Sequence, residues 1–582
     1  MLRGDLADEL GRRIAAAAEA AFSVEVAMEE AAIRPAPPER QADYQSNAAM
    51  PLAKRLSLPS RDVAAGIAAH LETGDMLERP EVAGPGFINL TLRREWLERH
   101  AADLSADARL GAASDDDPRK VVIDYSSPNA AKEMHAGHLR STILGDAIVR
   151  LLRFAGHEVI PQNHLGDWGT PFGMLVEQLV EQSWGGRGER RIPDLNALYQ
   201  QARARFDSDP AFAERARRRV VALQAGDPET LAVWRELVAE SVRQLEDLYG
   251  FLGVLLQPED IRPESSYRDV LPEVVRELEE AGLAALSEGA LCVFPPGFRT
   301  RDGEPLPLIV RKSDGGYTYD TTDLAAIRHR ARELGADRLL YVVGAPQRLH
   351  FEMLFAVARL AGWLGPRDSA EHVSFGAILG ADGKMLRTRS GVSISLMELL
   401  QEAVDRAASV VAERSELDEE ERGRVALAVG IGALKYADLS NDREKDYVFS
   451  WDRMLAMDGN TAVYLQYANA RIRSILARAA ESGGRAAAPD IVLSTPPERA
   501  LALKLAQFPA AVRMAVDKLQ PHRVCTYLYE TATAFSTFYE RCSVLNAETA
   551  ELRASRLALS ELTSRTLTLG LDLLGIEAPE RL

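Results

Sequence analysis

The chain has 582 residues, 46% of them hydrophobic and 27% charged. That is the make-up of an ordinary globular protein too long for a single core, and it excludes a low-complexity or disordered chain. A formal charge of −17 excludes a protein that coats nucleic acid by bulk attraction, though local basic surfaces stay open.

No apolar run is long enough to span a bilayer, and the start "MLRGDLADELGRR" lacks a basic and then apolar leader, so the cytoplasm is the expected home. Cys292, Cys525 and Cys542 are scattered, forming neither a disulfide framework nor a zinc pair of the CxxC kind, and are expected to be reduced and buried. Nine of the 69 basic residues are lysine, so each lysine inside a motif draws notice.

In chain order, residues 1–116 read as a small α/β unit. A helical pattern runs through "LADELGRRIAAAAEAAF", and Gly84, Pro85 and Gly86 make a turn feeding the strand pattern "FINL". A polar linker ends the unit. From Val121 the rhythm becomes strand, glycine-containing turn, long helix and strand ("EVIPQN"), that of a parallel α/β sheet over residues 117–395. Charged amphipathic helices replace it between about 180 and 295, reading as an insertion. The α/β signal is expected to resume at "LPLIVRK" and to continue through "DLAAIRHRAREL" to the strand "RLLYVVG". Residues 396–459 read as helical, and 460–582 as an all-α bundle with three- and four-residue apolar spacing. The expected fold class is therefore α/β: a split Rossmann-type parallel-sheet domain with a helical insertion, a small N-terminal α/β domain and a C-terminal helical bundle.

The stretch "SSPNAAKEMHAGHLRST" follows the first parallel strand. A helix starting near His135 would bury Leu139, Ile143, Leu144, Ala147, Ile148, Leu151 and Leu152, with His135 and His138 as neighbours on its first turn. Its N-terminus offers free N–H groups and partial positive charge, which suits phosphate, and Gly137 lets a base or ribose approach closely. The imidazoles would serve as donors to oxygens that gain charge during displacement at phosphorus. Roughly 250 residues later "GADGKMLRTRSG" forms a glycine-rich turn carrying Lys384, Arg387 and Arg389, the composition of a phosphate clamp. Either motif alone has an ordinary reading, a capped helix start or a solvated hairpin; their pairing in a split α/β fold is far more specific.

HAGH and KMLRT resemble the two ATP-binding signatures of class I aminoacyl-tRNA synthetases. More narrowly, the run from "DYSSPNAAKEMHAGHLRS" to "HLGDWGTPFGML" resembles the arginyl-tRNA synthetase family, as do "GGYTYDTTDLAA", "GNTAVYLQYANARIRS" and "LLGIEAPERL". The resemblance covers the whole chain. It implies that His135, His138 and Lys132 contact the ATP phosphates with Lys384 and Arg387, and that Gly137 meets the adenosine. Arg387 stands where a second lysine is usual, a planar fork in place of a point charge.

A guanidinium offers only donors, so its site needs carboxylate or hydroxyl acceptors. Tyr319 and Asp323, four apart in "YDTTD", match the family's side-chain pocket, and Asp124 matches an acidic position there. Asn129 and Gln347 match the residues that hold the α-amino and carboxylate groups. Singly, Tyr319 reads as a core aromatic, Asp323 as a helix cap and Gln347 as surface polarity.

The resemblance further implies L-arginine, ATP with its Mg2+ (no zinc, no metal held by protein) and tRNA(Arg) as partners, acylation at the terminal 2′-hydroxyl, and a tRNA requirement for activation. It implies no membrane partner and a monomer. Residues 1–116 would touch the tRNA D-loop, 396–459 its stem and 460–582 its anticodon, with Tyr467, Arg471 and Arg473 as candidate contacts. By spacing, Tyr467, Tyr527, Phe535, Phe538 and Tyr539 read mostly as bundle core, with one or two open to stacking on bases, and the run "AERARRRV" reads as a solvated face. Two alternatives remain at this point: a class I synthetase for another amino acid, and a tRNA-binding paralogue that has lost the reaction.

Overall fold

The computed structural model describes residues 4–37, 42–182, 195–386, 394–412, 417–481 and 490–582. Contacts divide the chain into two compact units, Met1–Ser114 with Val410–Tyr436 and Met454–Leu582, and Asp115–Ser409 with Ala437–Arg453.

The second unit holds a four-stranded parallel sheet made of β1 (Lys120–Asp124), β2 (Glu158–Gln162), β3 (Arg338–Tyr341) and β4 (Ser369–His372), in the order β4-β3-β1-β2. Three helices matter to the site: α1 (Ala136–Phe154), α2 (Tyr319–Arg328) and α3 (Arg348–Leu360). Val122 of β1 and Leu339 and Tyr341 of β3 share one buried core with Leu324 and Ile327 of α2 and Leu354 and Val357 of α3. The chain steps from β1 to β2 on one side, then returns to place β3 on the other. The sheet's switch point therefore lies between β1 and β3, where loops at the carboxyl ends of open α/β sheets form binding crevices.

Helix α1 buries the expected stripe and more: Arg140, Ser141, Thr142, Gly145, Asp146 and Val149 are buried too, so it is enclosed on all sides. Arg140 is the telling case, being 1% exposed and paired with Asp438, 0% exposed, at 3.2 Å. It also donates to the Lys445 carbonyl and stacks 5.2 Å from the Tyr447 ring. The long helix α1 is thereby bolted to the segment after residue 437.

Two expectations need correction. "LPLIVRK" does not rejoin the parallel sheet: Leu308–Arg311 pairs antiparallel with Ala290–Val293, which pairs with Ala284–Ser287, in a separate three-stranded sheet. Alternation alone cannot say which sheet a short strand joins. "AERARRRV" is a solvated face only in part: Glu214, Arg217 and Arg218 are exposed, while Arg215 and Arg219 reach Glu177 at 3.0 and 2.9 Å and fix the insertion to the helix Thr170–Glu181.

In the first unit, strands Ile33–Pro35, Tyr44–Ser46, Phe87–Leu90 and Glu81–Ala83 form an antiparallel sheet beside the helix Leu6–Phe22. These N-terminal residues pack on the C-terminal helices. Arg499 forks onto Asp43 at 2.7 and 2.8 Å, and Arg565 donates to the carbonyls of Ser105 and Asp107. The three cysteines are free and buried.

Candidate active site

Residue His135 occupies the N-cap of α1 in an extended conformation. Its Nδ1 accepts from the Gly137 N–H at 3.1 Å, while His138 Nδ1 accepts from the His135 N–H at 3.1 Å. This reciprocal arrangement satisfies helix-start donors as a capping box does. A nitrogen that accepts from a backbone N–H carries no proton, so the neutral ring keeps its hydrogen on Nε2, leaving that atom as donor. Burial, aided by Lys132, holds the His135 pKa below the ordinary imidazole value; burial and His135 push His138 down to about 4. Both are neutral donors at neutral pH. A Cβ at Gly137 would lie 2.8 Å from His135 Cε1, so a side chain there would push the His135 ring out of its cap.

The loop before the helix is strained and braced. Ser126, Ser127 and Ala131 have φ of 69°, 45° and 59°, left-handed values that cost about 1–3 kcal/mol each and cluster at functional sites. Ser126 Oγ meets Tyr249 Oη at 2.7 Å, and the Ala131 N–H donates to Ser241 Oγ at 2.7 Å. Both braces come from the inserted helix Pro228–Leu252. Lys132 stands exposed, its Nζ 6.0 Å from the Tyr199 ring.

Lys384 lies exposed on a hairpin that leaves Ile378–Leu379 and closes with a Leu379–Met385 bridge, its backbone N–H held by Asp382 at 3.1 Å. The chain returns beside HAGH: the Ala136 N–H donates to the Ile394 carbonyl at 3.1 Å and the Leu396 N–H to the Met134 carbonyl at 2.9 Å. Backbone hydrogen bonds thus join the start of α1 to residues 394–396, a few positions after the lysine turn in sequence. Arg387 and Arg389 lie outside the described residues.

A second cluster sits over β1 and β3. Tyr319 and Asp323 share the start of α2 as the spacing required. Tyr319 is 68% exposed, so it is no core aromatic, and Asp323 makes no cap; instead its Oδ2 meets His350 Nε2 at 2.7 Å. Around Asp323 stand His164, with Nε2 3.6 Å from Oδ1, and Asp320. Glu264 feels the Asp323 charge: burial, then Asp323 and Asp167, push its carboxyl up to about 7. Asp167 itself is fixed by the Ser265 N–H and hydroxyl at 2.9 and 2.5 Å. Asp320, Asp323, Asp167 and Glu264 thus concentrate carboxyl groups here, and His350 contacts two of them.

The expectation for Asp124 is altered. Its carboxylate is buried against Arg330 at 2.8 Å and accepts from Ser127 Oγ at 2.5 Å, so its charge is already paired. Ser127 Oγ in turn accepts from the His164 N–H at 3.1 Å, which ties the end of β1 to the Asp323 cluster. Asn129 is exposed and its backbone bridges Gly166, where a Cβ would come 2.3 Å from Asn129 Oδ1. Gln347 is exposed in the turn Ala345–Gln347 just before α3.

In the bundle, Tyr467, Arg471 and Arg473 share the helix Ala462–Glu481. Arg471 stacks 4.6 Å from the Tyr539 ring, whereas Arg473 is engaged by Thr568 at 3.3 Å and Glu580 at 3.6 Å. Tyr527, Phe535 and Phe538 are core, as expected, whereas Tyr467 is 39% exposed and Tyr539 half-buried.

A histidine-capped helix after the first strand of a parallel sheet, with a later segment bonded to its start, is an arrangement that fits a class I aminoacyl-tRNA synthetase, and the family model "tRNA synthetases class I (R), catalytic domain" matches residues 101–451. The arginyl tRNA synthetase N terminal domain matches residues 8–92 and the DALR anticodon binding domain residues 465–582. The chain is 53% identical over 575 residues to the arginine-tRNA ligase of Thermobifida fusca, covering 98% of this chain and 99% of that one. To that of Synechococcus elongatus it is 46% identical, with 99% of each covered. Among solved structures, arginyl-tRNA synthetase from Plasmodium falciparum superposes with TM-score 0.85 at 28% identity over 100% of both chains. The Thermus thermophilus enzyme superposes with TM-score 0.82 at 27% identity, covering 99% of this chain and 100% of the other. The chain belongs to the arginyl-tRNA synthetase family.

Proposed function

We propose that this arginine-tRNA ligase carries out both of its steps at the carboxyl edge of the parallel sheet, with ATP over the start of α1 and the amino acid over β1 and β3. Arginine's carboxylate attacks the α-phosphorus of ATP, releasing pyrophosphate and forming arginyl-adenylate; the terminal 2′-hydroxyl of tRNA(Arg) then attacks the acyl carbon and AMP leaves. Catalysis is positioning plus charge stabilisation, with no covalent enzyme intermediate. The Nε2–H groups of His135 and His138 donate to phosphate oxygens as charge grows on them. Gly137 lies under the adenosine, and Lys132, Lys384 and Arg387 take the pyrophosphate. Mg2+ arrives on the nucleotide and neutralises phosphate charge; among the described residues no trio of His, Cys, Asp or Glu is grouped to hold it.

The observation that carries the reading is the acidic cluster around Asp323, facing the crevice one strand away from the phosphate seat. Asp323 and Glu264 receive the guanidinium, Tyr319 lies along it, and Asn129 and Gln347 hold the α-amino and carboxylate groups. Asp124, paired to Arg330, positions Ser127 behind the pocket. In the bundle, Arg471 and Tyr467 meet tRNA, with the N-terminal domain at the D-loop and residues 396–459 near the stem. The enzyme works as a monomer in the cytoplasm; among the described residues no helix is long and apolar enough to cross a membrane.

The test is arginine-dependent ATP–pyrophosphate exchange by wild type and Asp323→Ala, each with and without tRNA(Arg). Exchange only with tRNA, and lost in the variant, is expected. Citrulline, which turns a carbonyl toward Asp323, is expected to be rejected by on the order of 10⁴, and canavanine poorly discriminated. Citrulline charging within about tenfold of arginine would remove Asp323 from the pocket.

A further inference from the structure

The imidazole of His350, on the first turn of α3, lies between two carboxylates. Nδ1 is 3.2 Å from Asp320 Oδ1 and Nε2 is 2.7 Å from Asp323 Oδ2. An ionised carboxylate only accepts, so a ring that satisfies both contacts must carry hydrogen on both nitrogens. Resting on the reading of Asp323 as the guanidinium acceptor, we propose that His350 is the resident counter-ion of the arginine pocket, its imidazolium holding Asp323 until the substrate guanidinium takes that carboxylate over and the Nε2 proton leaves to solvent.

The step balances. One N–H bond of the imidazolium breaks and its proton passes to water or buffer. The neutral ring keeps Nδ1–H on Asp320, and a guanidinium N–H replaces Nε2–H on Asp323. One cation substitutes for another, so the formal charge of the pocket is the same before and after. A neutral isostere such as citrulline has no charge with which to make the exchange.

The surroundings support a charged ring. Burial is the largest influence and favours the neutral form, but the hydrogen bonds to Asp320 and Asp323, with their charges, carry the pKa up to about 9. From α2 the ring faces Asp320, Asp323 and the Tyr319 ring at 5.4 Å; from its own helix it meets Phe351 at 5.3 Å. The loop after β2 brings His164 to Asp323, and the insertion brings Glu264, with Asp167 behind it. Arg330, the buried cation nearby, is spent on Asp124. No other cation in this set touches Asp320 or Asp323 as closely as His350.

The linkage has a definite sign. The complex holds one proton fewer than the free enzyme, so affinity for L-arginine strengthens as pH rises and levels off above about 9, where His350 is already neutral. Glu264, whose carboxyl titrates near 7, would release its own proton at lower pH, so measurements belong above that window.

Calorimetric titration of the full chain with L-arginine, at pH 7.5 and 8.5 in buffers of different ionisation enthalpy, reads the proton count directly. Release approaching one proton is expected at the lower pH, with Kd falling up to about tenfold per pH unit. In His350→Gln the release disappears and the dependence flattens while arginine still binds. Should that variant fail to fold, the wild-type count alone decides. Arginine binding without proton release, or undiminished release in His350→Gln, overturns the proposal while leaving the pocket intact. Asp323→Asn binding arginine as wild type does would overturn the pocket reading itself.

Discussion

Residues His138 and His350 each stand on the first turn of a helix at the carboxyl edge of the same sheet, and burial pushes both toward the neutral imidazole. They nevertheless end in opposite charge states. His138 has a backbone N–H on Nδ1 and His135 and Lys132 nearby; a backbone hydrogen bond to His135 works the other way, but desolvation prevails and its pKa falls to about 4. His350 has a carboxylate at each nitrogen, and those contacts outweigh desolvation. The lesson is that a half-buried histidine takes its charge from its hydrogen-bond partners more than from its depth. On the proposed assignment, the phosphate end has neutral donors that do not repel Lys132 and Lys384, and the guanidinium end has a cation that the substrate replaces.

Removing the bolt behind the phosphate end is the largest perturbation. Asp438→Ala leaves the Arg140 guanidinium buried without a counter-charge, and a loss of about 3–5 kcal/mol in denaturant unfolding is expected. An unchanged midpoint would mean that the Tyr447 ring, the Lys445 carbonyl and the Phe375 ring, 5.9 Å from the guanidinium, suffice for Arg140. Next, His138→Asn should lower kcat by on the order of 10²–10³ with the KM for arginine nearly unmoved, because the lost donor acts on phosphate charge. A rise in arginine KM instead would break the division of the site into two ends.

Smaller effects sharpen the contrast. Histidine Hε1 titrations by NMR should find His350 near pH 9 and His138 near pH 4, and Asp320→Asn should move only the former, toward 6.5. The same contrast bears on folding. The raised pKa of His350 gives stability that is full below its unfolded value near 6.5 and fades as pH rises through about 9. The lowered pKa of His138 works the other way, its contribution being present above 6.5 and lost as pH falls toward 4. Unfolding midpoints of wild type and His350→Gln should therefore converge as pH is raised from 6.5 to 9.5.

Much of this site is legible in the linear chain because its pieces are local. HAGH is a helix start by capping chemistry within four residues, and Tyr319 and Asp323 share a helix turn by their spacing. The Lys384 turn follows from its glycines and Asp382. What escaped lies across long separations. Arg330 neutralises Asp124 from about two hundred residues away, Tyr249 and Ser241 hold the strained SSPN loop from within the insertion, and His350 gains its charge from the preceding helix. "QRLH" reads as any polar helix start, and nothing in its spacing signals two carboxylates across the cleft.

Local chemistry and apolar periodicity were thus enough to determine the parallel α/β class, the helices of the insertion, the helical C-terminal region and the capped helix start at HAGH, since each depends on residues a few positions apart. Tertiary structure alone decided that Leu308–Arg311 belongs to a separate antiparallel sheet, that the N-terminal residues pack on the C-terminal helices through Arg499 and Asp43, and which histidine is charged. Those outcomes depend on which distant groups share a buried volume, where an unpaired charge costs several kcal/mol and a partner must be found wherever the fold supplies one.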